Sequence, residues 1–200
     1  HVYILSRDAS KLEIVNDHII NNGSDCTIVP MDLTKKNNIK GLAKNIYEKE
    51  NKIDIVISSA GRISQLSPIG SQSEDEVIKT FKLNYLANLS LMKEFLPLLK
   101  LSSKGKFVLV SSTYSALKSQ YWGGYQPIMT ALNELVRIYA EENKNIRVNC
   151  LCPSAVDTDF RNDIMPGENK ELILKPQKIA EHIIKTIKDD TIQSGDIIAI

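Results

Sequence analysis

Short apolar runs alternate along this chain with longer stretches whose apolar residues recur every three or four positions. Six runs predict strands, at residues 2–5, 26–30, 53–58, 106–111, 146–151 and 196–200. Several are apolar at consecutive rather than alternate positions, as parallel strands covered on both faces must be. Between them, residues 11–20 carry Leu12, Ile14, Val15, Ile19 and Ile20 at helical spacing, and residues 38–50 do the same with Ile39, Leu42, Ala43, Ile46 and Tyr47. Further helices are predicted at 74–99, with a break before Pro97, at 125–142, and at 176–187, with Pro176 in the first turn where a missing N–H costs little.

Strand–helix alternation of this kind implies one α/β domain, a doubly wound parallel sheet with right-handed crossovers and helices on both faces. Two hundred residues suit a single domain able to bury a sizeable core. Two long irregular stretches, 61–74 and 153–175, follow strands. Ligands of open α/β sheets sit outside the carboxyl ends of the strands, so both stretches should border a site.

Charge removes some functions. Net charge is +1, with no basic run, which argues against nucleic acid or an anionic membrane surface as partner. No apolar stretch reaches the roughly 18 residues of a membrane-spanning helix, and no secretory signal is visible. Cys26, Cys150 and Cys152 lie in or beside strands at spacings that fit neither a disulfide framework nor a zinc site, so each reads as a buried free thiol. His1, His18 and His182 form no ligand pattern. No metal is expected, and a reducing cytoplasm fits best.

Several short motifs then fall in one order. Ser6-Arg7 follows the first run, Asp32-Leu33 the second and Ser58-Ser59-Ala60-Gly61 the third. Asn84 lies in the long helix, Ser111-Ser112 ends the fourth run, Tyr125 opens the next helix, and Pro153-Ser154-Ala155-Val156-Asp157-Thr158 follows the fifth run. In order and spacing the chain resembles the short-chain dehydrogenase/reductase (SDR) family of classical type, over nearly its whole length. The resemblance implies a Rossmann-like nucleotide-binding domain and an oxidoreductase moving hydride between a nicotinamide cofactor and a carbonyl or alcohol.

It also assigns roles. Ser6 and Arg7 stand where an acidic residue would favour NAD; a hydroxyl and a planar guanidinium suit a 2′-phosphate instead, so NADP is expected over NAD. Asp32 and Leu33 would border the adenine, with Asp32 also able to act as a turn or cap residue before Thr34. Ser59, Ala60 and Gly61 would line the cofactor, although Ser58 and Ser59 are shorter than the family's asparagines. Pro153, Val156 and Thr158 would hold the nicotinamide end, and Ser154 replaces a glycine that matters only if φ is positive there. Ser112 would hold the substrate oxygen, Tyr125 exchange its proton and Asn84 support a water relay. Tyr121 and Trp122 are candidates to line the substrate cleft.

One position departs from the family. The catalytic lysine should follow Tyr125 by four residues, one turn later on the same helix face, but that residue is Met129. A cation about 4 Å from the phenol would contribute up to ~4 kcal/mol at an effective dielectric near 20. Without it the tyrosine is expected to titrate like the free amino acid, near ~10, and oxidation should suffer more than reduction. Lys118, in the segment before Tyr125, is the one nearby substitute. Impaired turnover follows as an expectation. The alternatives are a non-catalytic relative used for cofactor sensing or assembly, and a nucleotide-sugar epimerase relative, which would need a larger substrate domain. Family members pair through the helices bearing Asn84 and Tyr125, which implies a homodimer or homotetramer. Residues 6–12 hold no glycine, so residues 2–5 match the family's second strand. The first strand and glycine-rich loop, roughly 30 residues, are expected to precede them, and without that strand the sheet should have a central gap.

Overall fold

The computed structural model describes residues 1–113 and 119–200. In chain order they form β1 (Val2–Ser6), α1 (Ala9–Asn21), β2 (Cys26–Pro30), α2 (Asn38–Glu50), β3 (Ile55–Ser58), α3 (Glu74–Phe81), α4 (Ala87–Lys100), β4 (Lys106–Val110), α5 (Gln126–Glu142), β5 (Arg147–Cys152), α6 (Asp159–Ile164), α7 (Pro176–Lys188) and β6 (Ile197–Ala199). Every strand pairing is parallel. This is the α/β, Rossmann-like architecture that the alternating pattern predicts.

The strands fall into two sheets, β1-β2 and β3-β4-β5-β6. Between them β1 and β3 border a cavity of about 880 Å³, lined by Ile4, Leu5, Ile55 and Ile57 among others. Their facing edges carry no strand partner, and Ile57 on β3 stays 48% exposed. A slot thus separates the two sheets. Packing of α2 against α4 joins the two parts.

The core lies on the larger sheet. Phe107 and Leu109 of β4 and Val148 and Cys150 of β5 are shut from solvent against α4 and α5, while α7 contacts the same two strands. Each such large apolar side chain contributes about 1.5–3 kcal/mol of transfer free energy. Gly105 leads into β4 because a Cβ there would collide with the Leu99 carbonyl.

Three expectations change. The long helix does not break before Pro97; α4 runs through it to Lys100. Pro97 lies on the exposed face, so the carbonyl its missing N–H abandons is that of the equally exposed Lys93, while Leu91, Met92, Phe95, Leu98 and Leu99 bury the opposite face. The irregularity instead falls at residues 82–86, a π-helical turn that contains Asn84 and separates α3 from α4. The stretch 153–175 contains a helix, α6, capped by the Thr158 hydroxyl. Third, Cys150 and Cys152 are buried free thiols, but Cys26 is only half-buried, because β2 lies in the thinner sheet. No helix among the described residues is long and apolar enough to cross a membrane.

Candidate active site

The carboxyl ends of β3, β4 and β5 open into a second cavity of about 470 Å³. Asn84, Ser112, Tyr125, Met129, Pro153, Val156 and Thr158 line it, together with Trp122 and Arg161. Ser59, Ala60 and Gly61 border both this cavity and the larger one. Ser6, Arg7, Asp32 and Leu33 lie along the larger cavity, at the ends of β1 and β2. The residues singled out in the sequence thus form one trough, with Ala60-Gly61 at its middle.

Tyr125 sits at the N-cap of α5, and Pro127 occupies the first turn, where it breaks no hydrogen bond. Gly123 and Gly124 precede it because there is no room for side chains: a Cβ on Gly124 would lie 2.9 Å from Ser64 Oγ, and one on Gly123 2.9 Å from Ile69 Cγ1. The stretch 61–74 is thereby clamped against the start of α5, helped by Ser67 N donating to the Tyr121 carbonyl at 3.3 Å. Tyr121 takes a φ of 72° to make this turn and points outward, 52% exposed. Trp122 faces the cavity, edge-on to Tyr125 at 5.8 Å between ring centroids. Of the two aromatic candidates, only Trp122 lines the cleft.

The Ser112 hydroxyl hydrogen-bonds the Tyr125 phenol. Burial nevertheless pushes that phenol up to about 12, against the opposing pull of the Ser112 bond and of Arg161. It does not titrate like the free amino acid, because the phenolate would be formed in a desolvated site. Ser111 also borders the cavity, but its hydroxyl is buried with no hydrogen-bond partner among the described residues.

Met129 lies one turn beyond Tyr125, its amide donating to the Tyr125 carbonyl at 3.1 Å, and it is buried. Its thioether is 3.5 Å from Asn84 Nδ2. Both arms of the Asn84 amide hold the main chain of Arg62: Oδ1 accepts from Arg62 N at 2.9 Å and Nδ2 donates to Arg62 O at 2.8 Å. The π-turn and the strand-end loop are thereby locked together behind Gly61. The short side chain at Ser58 is matched from across the layer, where its Oγ donates to Asn88 Oδ1 at 2.6 Å and Asn88 Nδ2 donates to the Asn84 carbonyl at 2.7 Å. Asn88 escaped the sequence reading. Its signal was a second asparagine four residues after Asn84 in an otherwise apolar helix face.

Asp32 works as a turn residue, accepting from Thr34 N at 2.8 Å and Thr34 Oγ1 at 2.7 Å. Those bonds hold its carboxyl below the usual range, with smaller help from Lys35 and Arg7. Ser154 lies outside the positive-φ region, so the loss of a glycine there brings no strain. Thr158 Oγ1 is engaged as the cap of α6 and by Val156 O at 3.3 Å. Leu174 pairs across Val156, and Lys175 and Lys170 hold Asp157, which pins the loop. Lys118 lies outside the described residues.

The family described as short chain dehydrogenase matches residues 1–169. The chain belongs to the short-chain dehydrogenase family. Among its relatives, the oxidoreductase YciK of Escherichia coli (strain K12) is 26% identical over 194 residues, covering 95% of this chain and 77% of that protein. The benzil reductase ((S)-benzoin forming) IRC24 of Saccharomyces cerevisiae is 30% identical over 141 residues, 67% of this chain. The chain spans only about half, 54%, of that reductase. A crystal structure from Escherichia coli CFT073, described as a short chain dehydrogenase complexed with NADPH, superimposes with a TM-score of 0.90 at 25% identity, over 98% of this chain and 84% of that one.

Proposed function

We propose that this chain forms the greater part of an oxidoreductase that uses NADP(H) to interconvert a small carbonyl compound and its alcohol. The observation that carries the reading is the hydrogen-bonded Ser112–Tyr125 pair in the wall of the smaller cavity, beside Ala60-Gly61 and the loop from Pro153 to Thr158. The trough fits a dinucleotide at both ends: Ser6 and Arg7 offer a hydroxyl and a guanidinium for a 2′-phosphate, and the wall from Pro153 to Val156 is apolar enough for a nicotinamide. The NADPH of the Escherichia coli CFT073 structure supports this choice over NAD. When bound, the cofactor supplies or accepts the hydride.

The chain's own groups handle the oxygen and the proton. Ser112 holds the carbonyl oxygen, and Tyr125 gives it a proton as the carbonyl carbon is reduced. Asn84 acts as a brace for the Gly61–Arg62 main chain. Met129 stands where the family places its lysine and offers neither charge nor donor to the cofactor ribose. With the phenol held at about 12, Tyr125 is an acid at neutral pH and hardly ever a base. Reduction is therefore the favoured direction, and turnover is slow.

The same reading gives the domain one more parallel strand, between β1 and β3, with a glycine-rich turn leading from it toward the trough. Two unpaired strand edges flanking an apolar slot support this. In the intact protein the slot-facing amides of β1 and β3 should exchange with solvent as slowly as those of β4. Assembly as a dimer or tetramer is part of the proposal too, since α4 exposes Leu89 and α5 exposes Ile138.

The test is a fluorescence titration of the intact protein with NADPH and NADH, followed by turnover on a panel of aldehydes and ketones. Tyr125→Phe should lower reduction by about 10²–10⁴-fold, and Met129→Lys should raise oxidation more than reduction. Tight NADPH binding with no turnover, and no gain from Met129→Lys, would favour a cofactor-sensing or assembly role instead.

A further inference from the structure

Arg161 is the only basic side chain among the described residues that line the cavity around Tyr125. It is 6% exposed, an unusual position for a charge. Its amide is fixed by the Thr158 cap, accepted by Thr158 Oγ1 at 3.2 Å. Its guanidinium forms a two-pronged pair with Glu168, Nε to Oε2 and Nη2 to Oε1, both at 2.7 Å. Cζ stands 5.8 Å from the centroid of Trp122, whose ring meets Tyr125 edge-on. The other largely buried arginine, Arg147, is held by main-chain carbonyls at the end of α7, away from the cavity. A charge kept in a desolvated wall costs several kcal/mol unless paired. The same wall could have been built from apolar residues.

We propose that Arg161 is a positioning residue of the reaction centre: set by Glu168 and Trp122, its guanidinium provides positive potential at Tyr125 that stands in part for the missing ammonium. The proposal rests on the oxidoreductase reading above. When the Tyr125 O–H bond breaks, its proton passes to the substrate oxygen and a phenolate remains, to be reprotonated from water. Arg161 stabilises that phenolate across the Trp122 ring, while Glu168 sets how much of the charge is felt. Arg161 draws the phenol downward, against the larger upward push of burial. Glu168 is itself held below the usual carboxylate range by the Arg161 bond and stays ionised at neutral pH. The other groups acting on the phenol are Ser112, on the carboxyl side of β4, and the Cys152 thiol on β5.

The experiment follows the Tyr125 phenol by NMR of tyrosine labelled at the ring carbon bearing the hydroxyl, assigned with Tyr125→Phe. It needs neither cofactor nor substrate. Arg161→Gln should raise the titration midpoint by about one pH unit, and Glu168→Gln should lower it by a similar amount. The double substitution should return it near the wild-type value. Opposite signs are the decisive readout, because both single variants break the same ion pair and a purely structural role would move the midpoint in one direction. If the wild-type phenol stays protonated up to the unfolding pH, the series is repeated in a Met129→Lys background, where the midpoint is lower. Arg161→Lys, checked for folding by circular dichroism, should retain most of the effect if Arg161→Gln fails to fold. Equal midpoints, or shifts of the same sign, would overturn the proposal. That outcome would leave the oxidoreductase reading standing, which fails separately if Tyr125→Phe turns over carbonyl substrates at the full rate.

Discussion

In the four-stranded sheet β4 is buried from Phe107 to Leu109 and β5 from Val148 to Cys152, whereas no residue of β1 or β2 is fully buried. The larger sheet carries Ser58 and Ser112 at its strand ends, Ser58 bonded through Asn88 to Asn84 and Ser112 facing Tyr125 at the start of α5. The smaller sheet carries Ser6, Arg7 and Asp32, which are half-buried or exposed and make mostly local bonds. Placement of a proton to within a fraction of an ångström needs side chains locked by packing. Reading a phosphate needs only a cation within reach. The difference in finish between the two parts follows the precision that each task requires.

The largest expected effect tests that contrast directly. Leu109→Ala, in the middle of β4 with no exposure, should cost about 2–5 kcal/mol in denaturant unfolding. Ile57→Ala, on the slot-facing strand β3 and 48% exposed, should cost less than about 1 kcal/mol in this chain. Comparable losses at both sites would mean that the β3 edge is covered in solution and that the contrast is false. In a protein carrying a strand between β1 and β3, the cost at Ile57 should rise toward that at Leu109.

Two tyrosines sharpen the comparison. Burial raises the phenols of both Tyr3 on β1 and Tyr125, but Tyr3 is only half-buried and donates to Glu50 Oε1 at 2.8 Å. Tyr125, 7% exposed and pushed up to about 12, should leave the larger mark on stability. A folded value above the unfolded ~10 contributes stability that is complete below pH ~10 and lost as pH climbs through about 12, roughly 3 kcal/mol in all. The stability difference between wild type and Tyr125→Phe, followed from pH 9 to 12, should therefore shrink on the alkaline side. Tyr3→Phe should show a smaller trend of the same sign. A flat difference for Tyr125 would show that its hydroxyl is hydrated in solution.

The same contrast explains what could be read from the chain alone. Apolar runs placed all six strands because every strand lies in a parallel sheet, where consecutive apolar residues are required. The Ser112–Tyr125 pairing comes from the family resemblance, which sets a strand-end serine and a helix-start tyrosine at this spacing. The helix through Pro97 was not legible, since propensity there yields to the burial of Phe95, Leu98 and Leu99. Nor was the Arg161–Glu168 pair, which depends on how the loop after β5 folds back on itself, or the Ser58–Asn88 bond, which joins residues 30 apart across a layer. Local geometry is written into spacing. Contacts between layers are not.

The smallest expected effect lies at the open end of the trough. Arg7 is exposed and exerts only a small pull on the carboxylate of Asp32, which Thr34 already holds. A charge-assisted bond to a 2′-phosphate there is screened by solvent, so it should fall below the ~1.5–3 kcal/mol of a buried one. Arg7→Ala should weaken NADPH binding about tenfold, or ~1.4 kcal/mol, while NADH affinity stays unchanged. Raising the salt concentration should erode NADPH binding to the wild type more steeply than to the variant, because one screened contact has gone. If NADH and NADPH lost affinity equally, Arg7 would be shaping the loop between β1 and α1 rather than reading a phosphate. The smaller sheet would then require the same positional precision as the larger one.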